Sequence, residues 1–194
     1  MSFDKGVKIV VVGDSFVGKT SLIFAYTQQT FIEDYEPTVF QNYSASVILD
    51  RRKVSLNLFD TTGSTQEKLV KLRTLSYPQA DVILLCFSLI DPLSLDSCRR
   101  RWIPEIRRYT QAPVILVGIK EDLVEKAPLD KRIDRKQALR VAHEIGCNRV
   151  LTCSALTLRG LKRVFDEALM VASTGSTMDS KPQATQMGSC CCLL

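Results

Sequence analysis

The sequence predicts an α/β fold: a mostly parallel six-stranded sheet with helices on both faces and one antiparallel strand at its edge. Three observations predict it. Short β-branched or apolar runs alternate with amphipathic stretches from the first strand to about residue 172. The first run, residues 8–12, is almost continuous Ile and Val, as a strand covered on both faces requires. Two further runs flank the polar tip Asp50-Arg51-Arg52-Lys53, the pattern of an antiparallel hairpin.

In order, residues 8–12 form the first strand and residues 18–26 the first helix. Residues 44–49 and 54–59 form the hairpin. Buried strands follow at 82–87, 114–117 and 150–153, and helices at 93–109, 134–145 and 161–172. Asp91-Pro92 and Gln111-Ala112-Pro113 punctuate the ends of the 93–109 helix. Gly146 stands where the helix ending at Ile145 wants a left-handed cap. Residues 1–172 are expected to make one domain and residues 173–194, rich in Ser, Thr, Gln and Gly, a flexible tail. No internal repeat is visible.

The chain of 194 residues suffices for one well-buried domain, and 45% hydrophobic with 24% charged residues is ordinary globular composition. No apolar run approaches the roughly 20 residues of a membrane-spanning helix. Residues 1–6 carry Asp4 and Lys5 and are not expected to act as a secretory signal. Seven cysteines without such a signal suggest a reducing compartment. Cys86, Cys98, Cys147 and Cys153 are expected in or near the core, while Cys190, Cys191 and Cys192 cluster near the end. The net charge of +5 is modest. Its densest patch, Arg99 to Arg101 with Arg107 and Arg108 around Trp102, reads as a solvated helix face, and nothing interleaves aromatic and basic residues as a nucleic-acid surface would.

The chemistry begins at Gly13-Asp14-Ser15-Phe16-Val17-Gly18-Lys19-Thr20, a G-x-x-x-x-G-K-[ST] phosphate loop between a buried strand and a helix. Glycines let successive N–H groups curl around phosphate oxygens, and the helix N-terminus adds its positive end. Lys19 supplies a charge to the β- and γ-phosphates, and the Thr20 hydroxyl a ligand to Mg²⁺. Asp60, after a strand, is placed to hold Mg²⁺ through water, and the Gly63 N–H to reach the γ-phosphate. After the strand 114–117 come Lys120 and Asp122. A carboxylate at 122 can accept from N1–H and the exocyclic amine of guanine, a pair adenine does not offer. Ser154-Ala155-Leu156 would bring a backbone N–H near the guanine O6. Each group follows the C-terminal end of a strand, where α/β sheets bind ligands.

With these residues in view the chain resembles a Ras-superfamily small GTPase, specifically of the Rho family, over about residues 8–172 and the terminus. The Rho character rests on Glu36-Pro37-Thr38-Val39-Phe40-Gln41-Asn42-Tyr43, on Leu75-Ser76-Tyr77-Pro78-Gln79-Ala80-Asp81 and on Trp102-Ile103-Pro104-Glu105. Cys153-Ser154-Ala155-Leu156 and Gly160-Leu161-Lys162-Arg163-Val164-Phe165 extend it. The resemblance implies the P-loop GTPase fold, GTP/GDP and Mg²⁺ as ligands, and Ser15, Phe16, Val17, Gly18, Lys19, Thr20 and Ser21 around the phosphates. It implies Thr38 as the second Mg²⁺ ligand beside Thr20, Phe31 on the guanine edge and Tyr35 closing over the phosphates. Val39, Phe40 and Tyr43 would lie in the effector-binding face, and exchange factors are implied as further partners.

Four departures from the family pattern bear on activity or on partners. Ser15 stands where the family usually has glycine, crowding the γ-phosphate and the entry of an arginine finger. Gly63 is followed by Ser64 and Thr65 before Gln66, which displaces the glutamine that would orient the attacking water. Because a shift of about 1 Å can cost roughly 100-fold where catalysis is positioning, hydrolysis is expected to be slow or absent. The Rnd subgroup, regarded as GTPase-deficient, also has serine at both places. Ile119 replaces the Asn or Thr that usually braces the guanine pocket, and residues 124–136 are shorter than the charged insert of most Rho proteins.

The terminus Cys191-Cys192-Leu193-Leu194 has the C-a-a-X form, with leucine last favouring geranylgeranyl on Cys191. One lipid gives marginal binding, and the tail lacks a polybasic run, so palmitoylation of Cys190, or of Cys192 if the terminus escapes trimming, is the expected second signal. The expected location is the cytoplasmic face of the plasma membrane or endomembranes, with a cytosolic fraction. Two functions follow from the resemblance: a GTP-loaded module that recruits effectors with little hydrolysis, or a conventional switch cycling with an activating protein. A P-loop kinase or ATPase is the third class and would bind ATP.

Overall fold

The structure, a computed structural model, describes residues 6–31, 40–49, 52–147 and 149–174. Its strands are β1 (Val7–Gly13), β2 (Phe40–Leu49), β3 (Arg52–Thr61), β4 (Val82–Ser88), β5 (Val114–Ile119) and β6 (Val150–Thr152). They form one sheet in the order β2-β3-β1-β4-β5-β6, in which only the β2–β3 pair is antiparallel. The expected α/β class and the single antiparallel edge strand are both present. β2 and β3 run longer than the sequence pattern indicates, pairing from Phe40↔Thr61 to Leu49↔Arg52. The added residues, Phe40 to Tyr43 on β2 and Arg52, Lys53, Asp60 and Thr61 on β3, carry little hydrophobic alternation, and the ladder of backbone bonds defines them.

The period of two along each central strand feeds two cores. Val7, Ile9 and Val11 of β1 and Val82, Leu84 and Cys86 of β4 face α1 (Lys19–Gln28) and α6 (Leu161–Thr174). Val10, Val12, Ile83, Leu85 and Phe87 face the opposite layer. That layer contains α3 (Pro92–Ser97), α4 (Ile103–Arg107) and α5 (Arg135–Glu144). Cys86, Cys98, Cys147 and Cys153 are all buried, as expected for core thiols. Asp134 closes a capping box with Gln137 at the start of α5, and Gly146 (φ 67°) takes the left-handed turn after it.

Two local features depart from the sequence pattern. The expected single helix 93–109 is split: between α3 and α4 the turn Cys98–Trp102 is a π-helix, with Ile103 N–H donating to Cys98 O five residues back. Pro104 in the first turn of α4 has no N–H to give, which favours the wider turn just before it. A further helix, α2 (Glu67–Thr74), carries too few apolar residues to announce itself by periodicity. The last helix, α6, runs to Thr174, two residues past the expected end of the domain. Among the described residues no helix is long and apolar enough to cross a membrane.

Candidate functional site

The register of the parallel strands gathers the predicted residues at one end of the sheet. Val11 pairs with Asp60 and Gly13 with Cys86, while Gly118 lies beside Thr152. The loops after β1, β3, β5 and β6 therefore open on one edge.

Residues 13–20 wrap there with three positive φ angles, at Gly13 (147°), Phe16 (65°) and Gly18 (111°). A Cβ on Gly13 would lie 2.2 Å from Cys86 O, so the chain can leave β1 along this path only as glycine. Phe16 is strained for a side-chain-bearing residue, and its ring is 67% exposed. Ser15 is also exposed, whereas Val17 is buried. Gly18 precedes α1 without a side-chain cap, and the positive end of the helix faces this loop, where an anion is favoured. Lys19, Thr20 and Ser21 form its first turn.

Lys19 is only 6% exposed, and Nζ donates to Asp14 O at 2.7 Å. Burial pushes its ammonium down to about 8, with the Asp60 carboxylate opposing the shift. A buried cation of this kind fits an anionic ligand that would favour its charged form. Asp60 itself is fully buried, and the neighbouring Thr61 Oγ1 donates to Val11 O at 2.7 Å, fixing the end of β3 against β1. Gly63 rests directly on the phosphate loop: a Cβ there would stand 2.2 Å from Ser15 N and 2.4 Å from Asp14 C.

The base side is organised by the loops after β5 and β6. Lys120 takes a left-handed φ of 66° and sends Nζ back to Phe16 O at 2.7 Å, joining the two loops. Ser154 Oγ donates to Asp122 Oδ1 at 2.5 Å and accepts from Thr157 N–H at 3.1 Å. That leaves the Asp122 carboxylate oriented, with acceptor capacity to spare. The Ser154 N–H is committed to Arg159 O at 3.0 Å, so the adjoining Ala155, nearly buried, is the residue of this turn whose amide is left to consider. Ile119 is buried, its Cγ2 3.2 Å from where a Cβ on Gly18 would lie. It braces the pocket by packing rather than by a hydrogen bond.

A nucleoside triphosphate with Mg²⁺ fits these residues: an uncapped helix start, a buried ammonium, a glycine-only approach at Gly63 and an oriented carboxylate at Asp122. The model of the Ras family matches residues 8–173. The chain belongs to the Ras family.

Ras-family domains are small GTPases that bind guanine nucleotides, usually with Mg²⁺, and signal through effectors and regulators. In this Ras-family chain Phe31 follows α1 and is exposed. Tyr35, Thr38 and Val39 lie outside the described residues, as do Cys190 and Cys191. Phe40 and Tyr43 stand on the edge strand β2. Phe40 packs edge-on to Phe59 at 6.0 Å, and Tyr43 OH donates to Gln41 Oε1 at 2.6 Å. Gln66 is exposed and serves as the N-cap residue of α2, its N–H donating to Ser64 Oγ at 3.1 Å.

One assembly was not anticipated. The Arg101 guanidinium, expected on a solvated face, instead lies 4.4 Å from the Trp102 ring and donates to Gly63 O and Ser64 O. Fully buried Arg73 lies 4.7 Å from the same ring, pairs with both oxygens of Glu105 (2.8 and 2.7 Å) and donates to Thr62 O and Ser64 O. Tyr77 OH also donates to Glu105. Arg99, Arg100 and Arg108 keep the expected exposed place, Arg99 pairing with Asp96 and Glu144 and Arg100 with Asp96. The only advance signal was an arginine run beside the chain's single tryptophan.

Proposed function

We propose that this chain is a Rho-type signalling module that holds GTP with Mg²⁺, recruits effector proteins while loaded, and hydrolyses GTP slowly. Lys19, the first amides of α1 and the Gly63 N–H would hold the phosphates, Thr20 and Thr38 would ligate Mg²⁺, and Asp60 would hold it through water. Lys120, Asp122 and the Ala155 amide would take the guanine, with Phe31 on its edge and Tyr35 over the phosphates. Val39, Phe40 and Tyr43 would meet the effector. Prenylation of Cys191 and acylation of Cys190 would anchor the chain to the cytoplasmic face of a membrane.

The observation that carries slow hydrolysis is the fixed place of Ser64. Its carbonyl accepts from both Arg73 and Arg101 at 2.9 Å, and its hydroxyl accepts from Gln66 N–H. Gln66 is thereby held at the start of α2, with two residues between it and Gly63. Exposed Ser15 adds a side chain to the phosphate loop at the residue whose backbone nitrogen Gly63 approaches.

Single-turnover GTP hydrolysis on the purified full chain tests this reading. The expected rate is at least about tenfold below that of Ras-family proteins with glutamine directly after Gly63, on the positioning argument. A rate equal to theirs would establish the conventional cycling switch instead. GTP recovered from the protein after purification supports the reading, and recovered ATP would overturn it.

A further inference from the structure

Three consecutive carbonyls, those of Thr62, Gly63 and Ser64, are all taken by the two arginines that lie against Trp102. Their placement decides where one amide points. The peptide unit carrying the Gly63 N–H also carries the Thr62 carbonyl, and the two lie in one plane on opposite sides. Arg73 Nη1, 2.8 Å from Thr62 O, therefore aims the Gly63 N–H away from itself. The next plane carries the Gly63 carbonyl, which accepts from Arg101 Nη2 at 3.1 Å, and the Ser64 N–H, which donates to Thr62 Oγ1 at 3.2 Å. With both flanking planes held, the turn at Gly63 has little freedom left.

The two arginines differ in what else they do. Arg73 is fully buried and forms a two-pronged pair with Glu105, so it is part of the core. Arg101 is partly exposed, and its one carboxylate contact is Asp14 Oδ1 at 3.4 Å, inside the phosphate loop. Its shorter bonds go to the two carbonyls. Arg101 is thus the side chain that touches both the phosphate loop and the loop after β3, and it does so where Gly63 presses on Ser15.

We propose that Arg101 is a positioning residue for the γ-phosphate. It holds the Gly63–Ser64 peptide while Arg73 holds the Thr62–Gly63 one, so that the turn presenting the Gly63 N–H is set before nucleotide arrives, and so favours the triphosphate over the diphosphate. A diphosphate does not reach the Gly63 amide, so the gain falls on GTP alone. The inference rests on the reading that residues 13–20 hold guanine nucleotide.

Displacement of a fluorescent guanine nucleotide by GTP and by GDP, with Mg²⁺, on the full-length chain and its R101A variant tests it. The expected result is a GTP affinity about fivefold to tenfold lower in R101A, with GDP affinity within about twofold of wild type, as for loss of charge-assisted hydrogen bonds. Arg101→Lys, which supplies one point donor in place of a fork, should recover part of the ratio. Equal losses for both nucleotides would reduce Arg101 to a structural role and overturn the proposal, as would an unchanged ratio. Should R101A not fold, R101K carries the same test, with a GTP-to-GDP preference lowered by about twofold to threefold expected and an unaltered preference overturning it. Amide exchange in the GDP form is a second readout: faster exchange at residues 62–66 in the variant is expected, and equal exchange would overturn the proposal. A wild-type chain that binds neither nucleotide would fail the binding reading itself, and the inference with it.

Discussion

Trp102 Nε1 donates to Asp14 Oδ1 at 2.8 Å, joining the middle of a helical layer to the phosphate loop across 88 residues of sequence. The bond matters because Trp102 is fully buried and Asp14 sits between Gly13 and Ser15. Replacing Trp102 by Phe keeps most of the apolar surface but removes the donor and leaves a small void. The expected cost is about 2–3 kcal/mol, the sum of an unmade hydrogen bond to a carboxylate and a modest cavity. Urea unfolding measures it, and a loss below about 0.5 kcal/mol would show that Asp14 is held by other contacts.

The Arg73–Glu105 pair sets an acid limit. Burial pushes the Glu105 carboxyl up, but hydrogen bonds from Arg73 and Tyr77 outweigh it and hold the group below its ordinary value of 4.5. A depressed carboxyl contributes stability that is complete above its ordinary value and lost as pH falls through the lowered one. Glu105→Gln strands a buried guanidinium and should cost about 3–5 kcal/mol at pH 7. The difference from wild type should shrink below pH 4.5, because protonated Glu105 then resembles Gln. Denaturation curves at neutral and acid pH measure this, and a gap independent of pH would refute it.

On the base side, Ser154→Ala removes the donor that orients Asp122. Guanine affinity should fall by about fivefold to tenfold, the worth of one hydrogen bond to a charged group, while preference for guanine over adenine remains. Asp122→Ala should lower GTP affinity by about 100-fold or more and abolish that preference, since the paired acceptor is gone. Titrations with GTP and ATP separate the two outcomes. An Asp122→Ala variant that still prefers GTP would move base recognition elsewhere.

Deleting Ser64 and Thr65 while placing glycine at 15 should restore a short path from Gly63 to Gln66. The single-turnover rate is expected to rise by about tenfold to 100-fold, the range positioning alone can supply. No increase would place the defect outside this loop.

The strands and the order of their loops were legible because the chain repeats one local device. Each buried run ends in a polar loop, and such ends gather on one edge in a parallel sheet. Gly13, Asp60, Lys120 and Ser154 therefore come together as their spacing indicated. What could not be read is whatever depends on distant partners. Glu67, Lys68, Lys71 and Arg73 make α2 look like a solvated segment, yet Arg73 is fully buried because Glu105, 32 residues on, completes it. Arg101 looked solvated for the same reason: the carbonyls that engage it belong to residues 63 and 64. The π turn hid for another reason, since a 3.6-residue period carries no mark of one wider turn.

That wider turn gives residues 98–102 a phase. An α-helix advances about 100° per residue, so the extra residue of a π turn decides which way everything after it faces. Trp102 faces the core and Arg101 the loop after β3 only in this phasing. Spacing along the helix is therefore as much a part of the site as the side chains. Residues 99–101 are all arginine, so the phase of the turn and not the residue type singles out Arg101 for the carbonyls.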